Sequence, residues 1–272
     1  MRPAGRLDAQ FNLSGNPSDF KSCYLQAKFA GNNFSLYGLN AQSLSLDFLQ
    51  DQKIARIPAL RVAIYDGLIE VSGALNLNTD NLLYQLELKA EGIKLEKLKM
   101  DTPSKNENIS GTLFAELKLN GSSGDLSKLS GAGSFTIKEG RLWELNLLQG
   151  VGKLLFAKDM GSIELSECSC AFLIKDKFVS TDKLELKGNI ANLSGPLKIG
   201  FDSSLEGSLN VDILSEMVPV RGTFKDIATA IIGESGKFGV IKLSGTLSAP
   251  KYTFKAAVGN IIQGLADMFL KK

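Results

Sequence analysis

The chain has 272 residues, enough for one large β domain or two ordinary ones, and 44% of them are hydrophobic, enough for a core. Its net charge is +2, so no strongly basic face is implied and nucleic acid is not an expected partner. It contains no histidine, which removes Ser-His-Asp and Cys-His nucleophile pairs, His general bases and His metal ligands together.

The N-terminus, MRPAGRLDAQF, carries charges but no apolar run of the signal-peptide kind. The strand-like LDAQFNLSG that follows begins in mid-pattern, which leads us to expect the C-terminal part of a longer protein. No run of about 20 apolar residues is present to span a bilayer as a helix. Cys23 is remote from the other two cysteines. Cys168 and Cys170 are two apart, on one face of a strand and poorly placed for a disulfide. All three are expected to be small buried residues, and no metal or cofactor is expected.

From there alternation dominates. Leu82, Tyr84, Leu86 and Leu88 face one way, and Gln85, Glu87 and Lys89 the other. Leu113, Ala115, Leu117 and Leu119 repeat this against Glu116 and Lys118. Phe135 and Ile137 alternate with Thr136 and Lys138. Leu184 and Leu186 alternate with Lys183, Glu185 and Lys187, Leu209, Val211 and Ile213 alternate with Asn210 and Asp212, and Ile241 and Leu243 continue the style. One apolar face and one wet face mark an antiparallel sheet covered on one side. Turn signals at Gly31-Asn32-Asn33, Asp66-Gly67, Asn120-Gly121 and Glu139-Gly140 separate the runs. FNLSGNPSDF, LKLNGSSGDL, IANLSGPLKI and IKLSGTLSAP form a loose repeat of strand and small-polar turn.

Roughly fourteen strands at about 4.8 Å spacing would make a sheet on the order of 65 Å long, which must curl, split or close. Curling gives an oily inside and a charged outside. Three segments break the strand pattern. A short apolar helix is expected near 146–158 and a second near 225–234. A C-terminal amphipathic helix over 255–272 carries Val258, Ile261, Ile262, Leu265 and Phe269 on one stripe. It is expected either to lie across the mouth of an apolar trough or to touch a membrane surface.

Possible chemistry is thin. Asp66, Glu139 and Asp176 sit in turn signals, where Asp and Gly serve the backbone. Gly131-Ala132-Gly133 precedes a strand and lacks the Lys-Ser/Thr of a phosphate loop. Trp143 is expected at a core or groove rim. The apolar strand faces admit two readings: a packed core, or an open trough that holds something apolar.

The stretch GDLSKLSGAGSFTIKEGRLWELNLLQGVGKLL resembles the C-terminal region of AsmA-like proteins, with Gly131, Gly133, Phe135, Ile137 and Gly140 meeting a G-x-G-x-F-x-I-x-x-G strand before a short apolar helix. IKLSGTLSAPKY resembles that family's closing strand through Ser244, Gly245, Thr246, Leu247, Pro250 and Tyr252, and VDILSEMVPVRGTF lies between. The resemblance covers about half the chain, from Gly124 to Tyr252. It implies a bridge-type lipid carrier with a repeating β-groove that shields acyl chains. It also implies a periplasmic place in a diderm envelope behind an inner-membrane anchor helix, which this sequence lacks.

The expected protein is mostly β: a long, curved antiparallel sheet forming an open apolar groove, with a few short amphipathic helices. Residues 1–123 form a repeated groove segment, 124–254 the AsmA-like segment and 255–272 the terminal helix. The expected function is non-enzymatic binding and transfer of phospholipid acyl chains. The expected groove residues are Leu82, Tyr84, Leu86, Leu88, Leu113, Leu117, Leu119, Phe135, Ile137, Leu184, Leu186, Leu209, Val211, Ile213, Ile241 and Leu243. Peripheral membrane contact and an envelope protein partner are compatible with it. A ligand-free structural or assembly module is the alternative, and a β-solenoid carbohydrate enzyme comes third.

Overall fold

The computed structural model describes residues 4–36, 39–78, 81–142, 165–189, 191–214 and 237–256. The helices expected near 146–158 and 225–234, with Trp143, lie outside the described residues, as does the helix expected over 255–272 from residue 257 onward; its first two residues, Lys255 and Ala256, are strand and not helix, because they continue the pairing with Val240 and Gly239. Fourteen strands are described: β1 (Ala4–Ser14), β2 (Tyr24–Leu36), β3 (Leu39–Asp51), β4 (Ile54–Ile64), β5 (Gly67–Asn76), β6 (Leu83–Lys94), β7 (Ser110–Ser122), β8 (Asp125–Arg141), β9 (Leu165–Lys175), β10 (Phe178–Gly188), β11 (Ala191–Gly200), β12 (Leu205–Ile213), β13 (Lys237–Gly245) and β14 (Pro250–Ala256). They are hydrogen-bonded in chain order as one open sheet. The pairings from β1 to β7 and from β10 to β14 are antiparallel.

Tight hairpins explain this order. Tyr65-Asp66 and Gln52-Lys53 both have positive φ, the conformation of a two-residue turn whose twist matches that of its strands, and Asp176-Lys177 repeats it. Not every expected turn is one. Asn120-Gly121 lies inside β7, and the chain reverses at Ser123-Gly124, where Gly124 has φ +80°. Glu139 (φ +52°) and Asn33 (φ +50°) lie inside β8 and β2. A left-handed residue within a strand makes an irregularity in the ladder without ending it.

The chain divides into two compact units. The first comprises Met1–Asn106, Gly111–Thr136 and Phe172–Lys177; the second comprises Glu107–Ser110, Ile137–Ala171 and Phe178–Lys272. In the first, the one described α-helix, α1 (Leu95–Leu98), continues through short 3-10 turns at Lys99–Asp101 and Pro103–Asn106 between β6 and β7. Leu98 packs on a buried cluster of Ala41, Ile64, Tyr65, Ala90 and Ile93. Three polar ties hold the insertion down. The Tyr65 hydroxyl donates to Asp101 at 3.0 Å, the Asn40 amide donates to the same carboxylate at 3.3 Å, and Lys97 pairs with Asp66.

Candidate functional site

The register of β1 to β7 turns sequence alternation into cross-strand rows. One row runs Ala9, Phe29, Leu46, Leu60, Val71, Leu88, Leu117. The next runs Leu7, Gly31, Leu44, Val62, Ile69, Ala90, Ala115. On the other side, Ile57 faces Gly73, which faces Leu86 and then Leu119. Beyond these lies a fourth row with Leu25, Gln50, Ala55, Leu75, Tyr84 and Gly121. Side chains at paired positions share a face. One face of this unit therefore carries a field of apolar residues interrupted by Gln50.

Gln50 is buried and satisfied. Its amide donates to the carbonyls of Phe20 at 2.7 Å and Cys23 at 3.2 Å, tying the 3-10 turn Pro17–Ser22 to the end of the sheet. Where the field needs room, glycine supplies it. A Cβ on Gly121 would meet the Tyr84 ring at 2.5 Å, so the ring lies across bare backbone.

The opposite face is a charge ladder. Arg61, Glu70, Lys89 and Glu116 are successive partners, and their signs alternate. Arg61 reaches Glu70 at 2.7 Å, and Lys118 reaches Glu87 at 3.0 Å. The Glu70 hydrogen bond and charge raise the Arg61 pKa. Each such exposed pair contributes at most about 1 kcal/mol, so the ladder serves register and solubility more than stability. A cavity of about 420 Å³ opens across β4 to β7, lined by these charged residues together with Leu60, Val71, Leu88 and Leu117.

The expected groove residues fall in two environments. Leu82, Tyr84, Leu86, Leu88, Leu113, Leu117, Leu119 and Phe135, all in the first unit, are half-buried. The register joins Leu88 to Leu117 and Leu86 to Leu119, while Phe135 lies beside Phe172 with ring centroids 6.5 Å apart. In the second unit Ile137 is half-buried, but Leu184, Leu186 and Leu243 are buried and Leu209, Val211 and Ile241 have 0% exposure. There Leu209 faces Ile241, which faces Phe254, and Leu186 faces Leu193, which faces Val211. A single bare sheet leaves its side chains partly wet, so zero exposure marks a covered face. The backbone of Ile213 lies in β12, and Val258, Ile261, Ile262, Leu265 and Phe269 lie outside the described residues.

Several members of the field escaped the sequence reading: Phe29, Leu44, Leu46, Leu60, Val62, Ile69 and Val71. Leu44 and Leu46 alternate with Ser43, Ser45 and Asp47, a signal of the same kind as in β6. In β5 the adjacent pairs Leu68-Ile69 and Ala74-Leu75 put apolar residues on both faces, which blurs the alternation.

The candidate carboxylates serve the backbone. Asp66 and Asp176 hold positive-φ turn positions, Glu139 holds the irregularity in β8, and the Asp66 carboxylate is paired with Lys97. The cysteines are free and buried, and burial pushes the Cys168 thiol up to about 12, which makes it a poor nucleophile. Among the described residues there is no cluster of three metal-ligating side chains, and no helix is long and apolar enough to cross a membrane. No family model, no curated protein and no solved structure matches the chain.

Proposed function

We propose that this protein binds the acyl chains of phospholipid on the apolar face of β1 to β7 and passes them along it, without enzymatic chemistry, in the envelope of a diderm bacterium. The carrying observation is the half-buried field itself: apolar rows in register across seven strands, with a charge ladder behind them. Four rows span six residues along a strand, about 20 Å at roughly 3.4 Å per residue. That depth suits an acyl chain, since half of a ~30 Å bilayer core is about 15 Å. The resemblance of Gly131–Gly140 and Ser244–Tyr252 to AsmA-like segments supports the same reading, with the chain as the distal part of an inner-membrane-anchored carrier.

The mechanism is desolvation. Each buried CH₂ contributes about 0.8 kcal/mol, and the rows repeat without a fixed polar anchor in their centre. A lipid held in this way gains affinity from area and slides between equivalent rows at little cost. A curved groove around the lipid is part of the proposal.

Native mass spectrometry of the purified chain tests it. The wild type should carry phospholipid. Leu86→Asp and Leu117→Asp should remain folded by circular dichroism and lose about tenfold in lipid affinity, since a half-buried leucine gives the lipid roughly half of the 1.5–3 kcal/mol of full burial. Retention of lipid by both folded variants would overturn the assignment. The covered face of the second unit favours a structural role for that part of the chain, and a ligand-free wild type would extend that role to the whole.

A further inference from the structure

We propose that the insertion built on α1 is a fixed wall across one end of the apolar field, so that Leu98 and the residues under it limit the acyl-chain length the site accepts. This rests on the acyl-chain reading above and adds length selectivity to it.

Exposure falls along the strands towards the insertion. On β6, Tyr84, Leu86 and Leu88 are half-buried, whereas Ala90 is 6% exposed and Ile93 2%. On β4, Leu60 and Val62 are half-buried and Ile64 is 4% exposed. Ile64 lies two residues from Val62 and faces Ala41, and Leu113 lies two residues from Ala115 and faces Ile93. Both pairs therefore continue the apolar face as a further row. That row differs from the open ones because Leu98 packs on the cluster to which it belongs. At this end the field stops at hydrocarbon and not at water.

The opposite end is unlike it. Over β5 to β7 the last of the four rows holds Leu75, Tyr84 and Gly121, all half-buried, and the turn residues Asn78 and Ser123 near that end are exposed. An acyl chain then lies along the strands with its methyl end against Leu98 and its headgroup at the turns. The open stretch from Tyr84 to Ala90 is six residues, about 20 Å at roughly 3.4 Å each. A chain that fills a leaflet of about 15 Å fits within it. A much longer chain leaves methylenes in water at the turn end.

A length limit needs a rigid wall, and this one is pinned at both roots. The Lys94 backbone N–H donates to the Tyr65 carbonyl at 2.9 Å, and the Lys94 ammonium donates to the Thr112 hydroxyl at 2.7 Å. Glu96 accepts from the Gly111 N–H at 3.3 Å, and Tyr65 and Asn40 hold Asp101. These ties reach β3, the β4–β5 turn and β7, so swinging the insertion away breaks all of them.

The test offers the intact chain mixed vesicles of dilauroyl-, dipalmitoyl- and diarachidoyl-phosphatidylethanolamine in equal parts. Native mass spectrometry reads the share of each, since the three differ in mass. In a vesicle every methylene is already buried, so a chain that fits loses nothing on transfer, while each CH₂ left in water costs about fourfold in affinity. Dilauroyl and dipalmitoyl lipid should be taken up alike, and diarachidoyl lipid at least about fourfold less. Leu98→Ala moves the wall back and should raise the diarachidoyl share. Ala115→Phe moves it forward from a half-buried position and should lower the dipalmitoyl share. Both variants are checked for folding by circular dichroism. Diarachidoyl lipid taken up by the wild type as readily as dipalmitoyl, or shares that neither folded variant moves, would overturn the wall and leave the acyl-chain reading standing. A chain that takes up none of the three would overturn both.

Discussion

Leu117 in β7 and Leu209 in β12 occupy matching places in matching patterns. Each alternates with polar residues on an antiparallel strand, and each faces an apolar partner across the ladder, Leu88 for one and Ile241 for the other. Yet Leu117 is half-buried and Leu209 has 0% exposure. The first belongs to a field with one side still available. The second belongs to a core that is already filled. Alternation thus specifies which way a side chain points and leaves open what it meets there.

The sharpest way to break this contrast is a buried charge. Leu209→Asp or Ile241→Asp should cost several kcal/mol and abolish the cooperative thermal transition, because a carboxylate at 0% exposure has neither water nor partner. Leu209→Ala should cost about 2–5 kcal/mol through the cavity it leaves. Leu88→Ala, half-buried in the first unit, should cost about half as much. Equal costs at Leu209 and Leu88, read by urea titration, would erase the distinction between the units.

Backbone changes sharpen it next. Gly195 in β11 has φ +156°, and its Cβ would lie 2.1 Å from the Ser208 carbonyl oxygen, so Gly195→Ala should cost about 2–3 kcal/mol in denaturant midpoints. Gly124, at the β7–β8 turn with φ +80°, has nothing within 4 Å, so Gly124→Ala should cost about 1 kcal/mol from its φ alone.

The last effect is a pH dependence at the alkaline end, to which Tyr65 contributes in the first unit. Burial, and then the Asp101 hydrogen bond, push the Tyr65 hydroxyl up to about 12 from 10.0. Between those values the folded chain keeps a proton that the unfolded chain has lost. The contribution is therefore complete below pH 10 and is lost as pH rises towards 12. Tyr65→Phe should reduce that slope in thermal melts above pH 10, leaving the part that the buried Cys168 thiol and Tyr252 supply, and an unchanged slope would remove Tyr65 as a source.

Much of the sheet was legible from residues alone. The periodicity of Leu82–Leu88 and Leu113–Leu119 implied strands with one apolar face, and the estimate of roughly fourteen strands matches the fourteen described. Local turn chemistry was less reliable. Asp66-Gly67 adjoins a real hairpin, whereas Asn120-Gly121 sits inside β7 because Gly121 makes room for the Tyr84 ring. The insertion after β6 went unread because α1 has four residues, too few for a helical period. Its signal was present in the Leu95 and Leu98 spacing and in Pro103 just beyond. Burial depth was not legible, since it depends on which elements lie over a face and not on the strand that carries it.

Photo-crosslinking tests the central claim most directly. A phospholipid bearing a diazirine in one acyl chain would be incubated with the intact protein, irradiated, and its adducts mapped by peptide mass spectrometry. Adducts should fall on β4 to β7 around Leu60, Leu86, Leu88 and Leu117, and be absent from Leu209, Val211 and Ile241. Labelling concentrated on β12 and β13, or no specific labelling, would contradict the account.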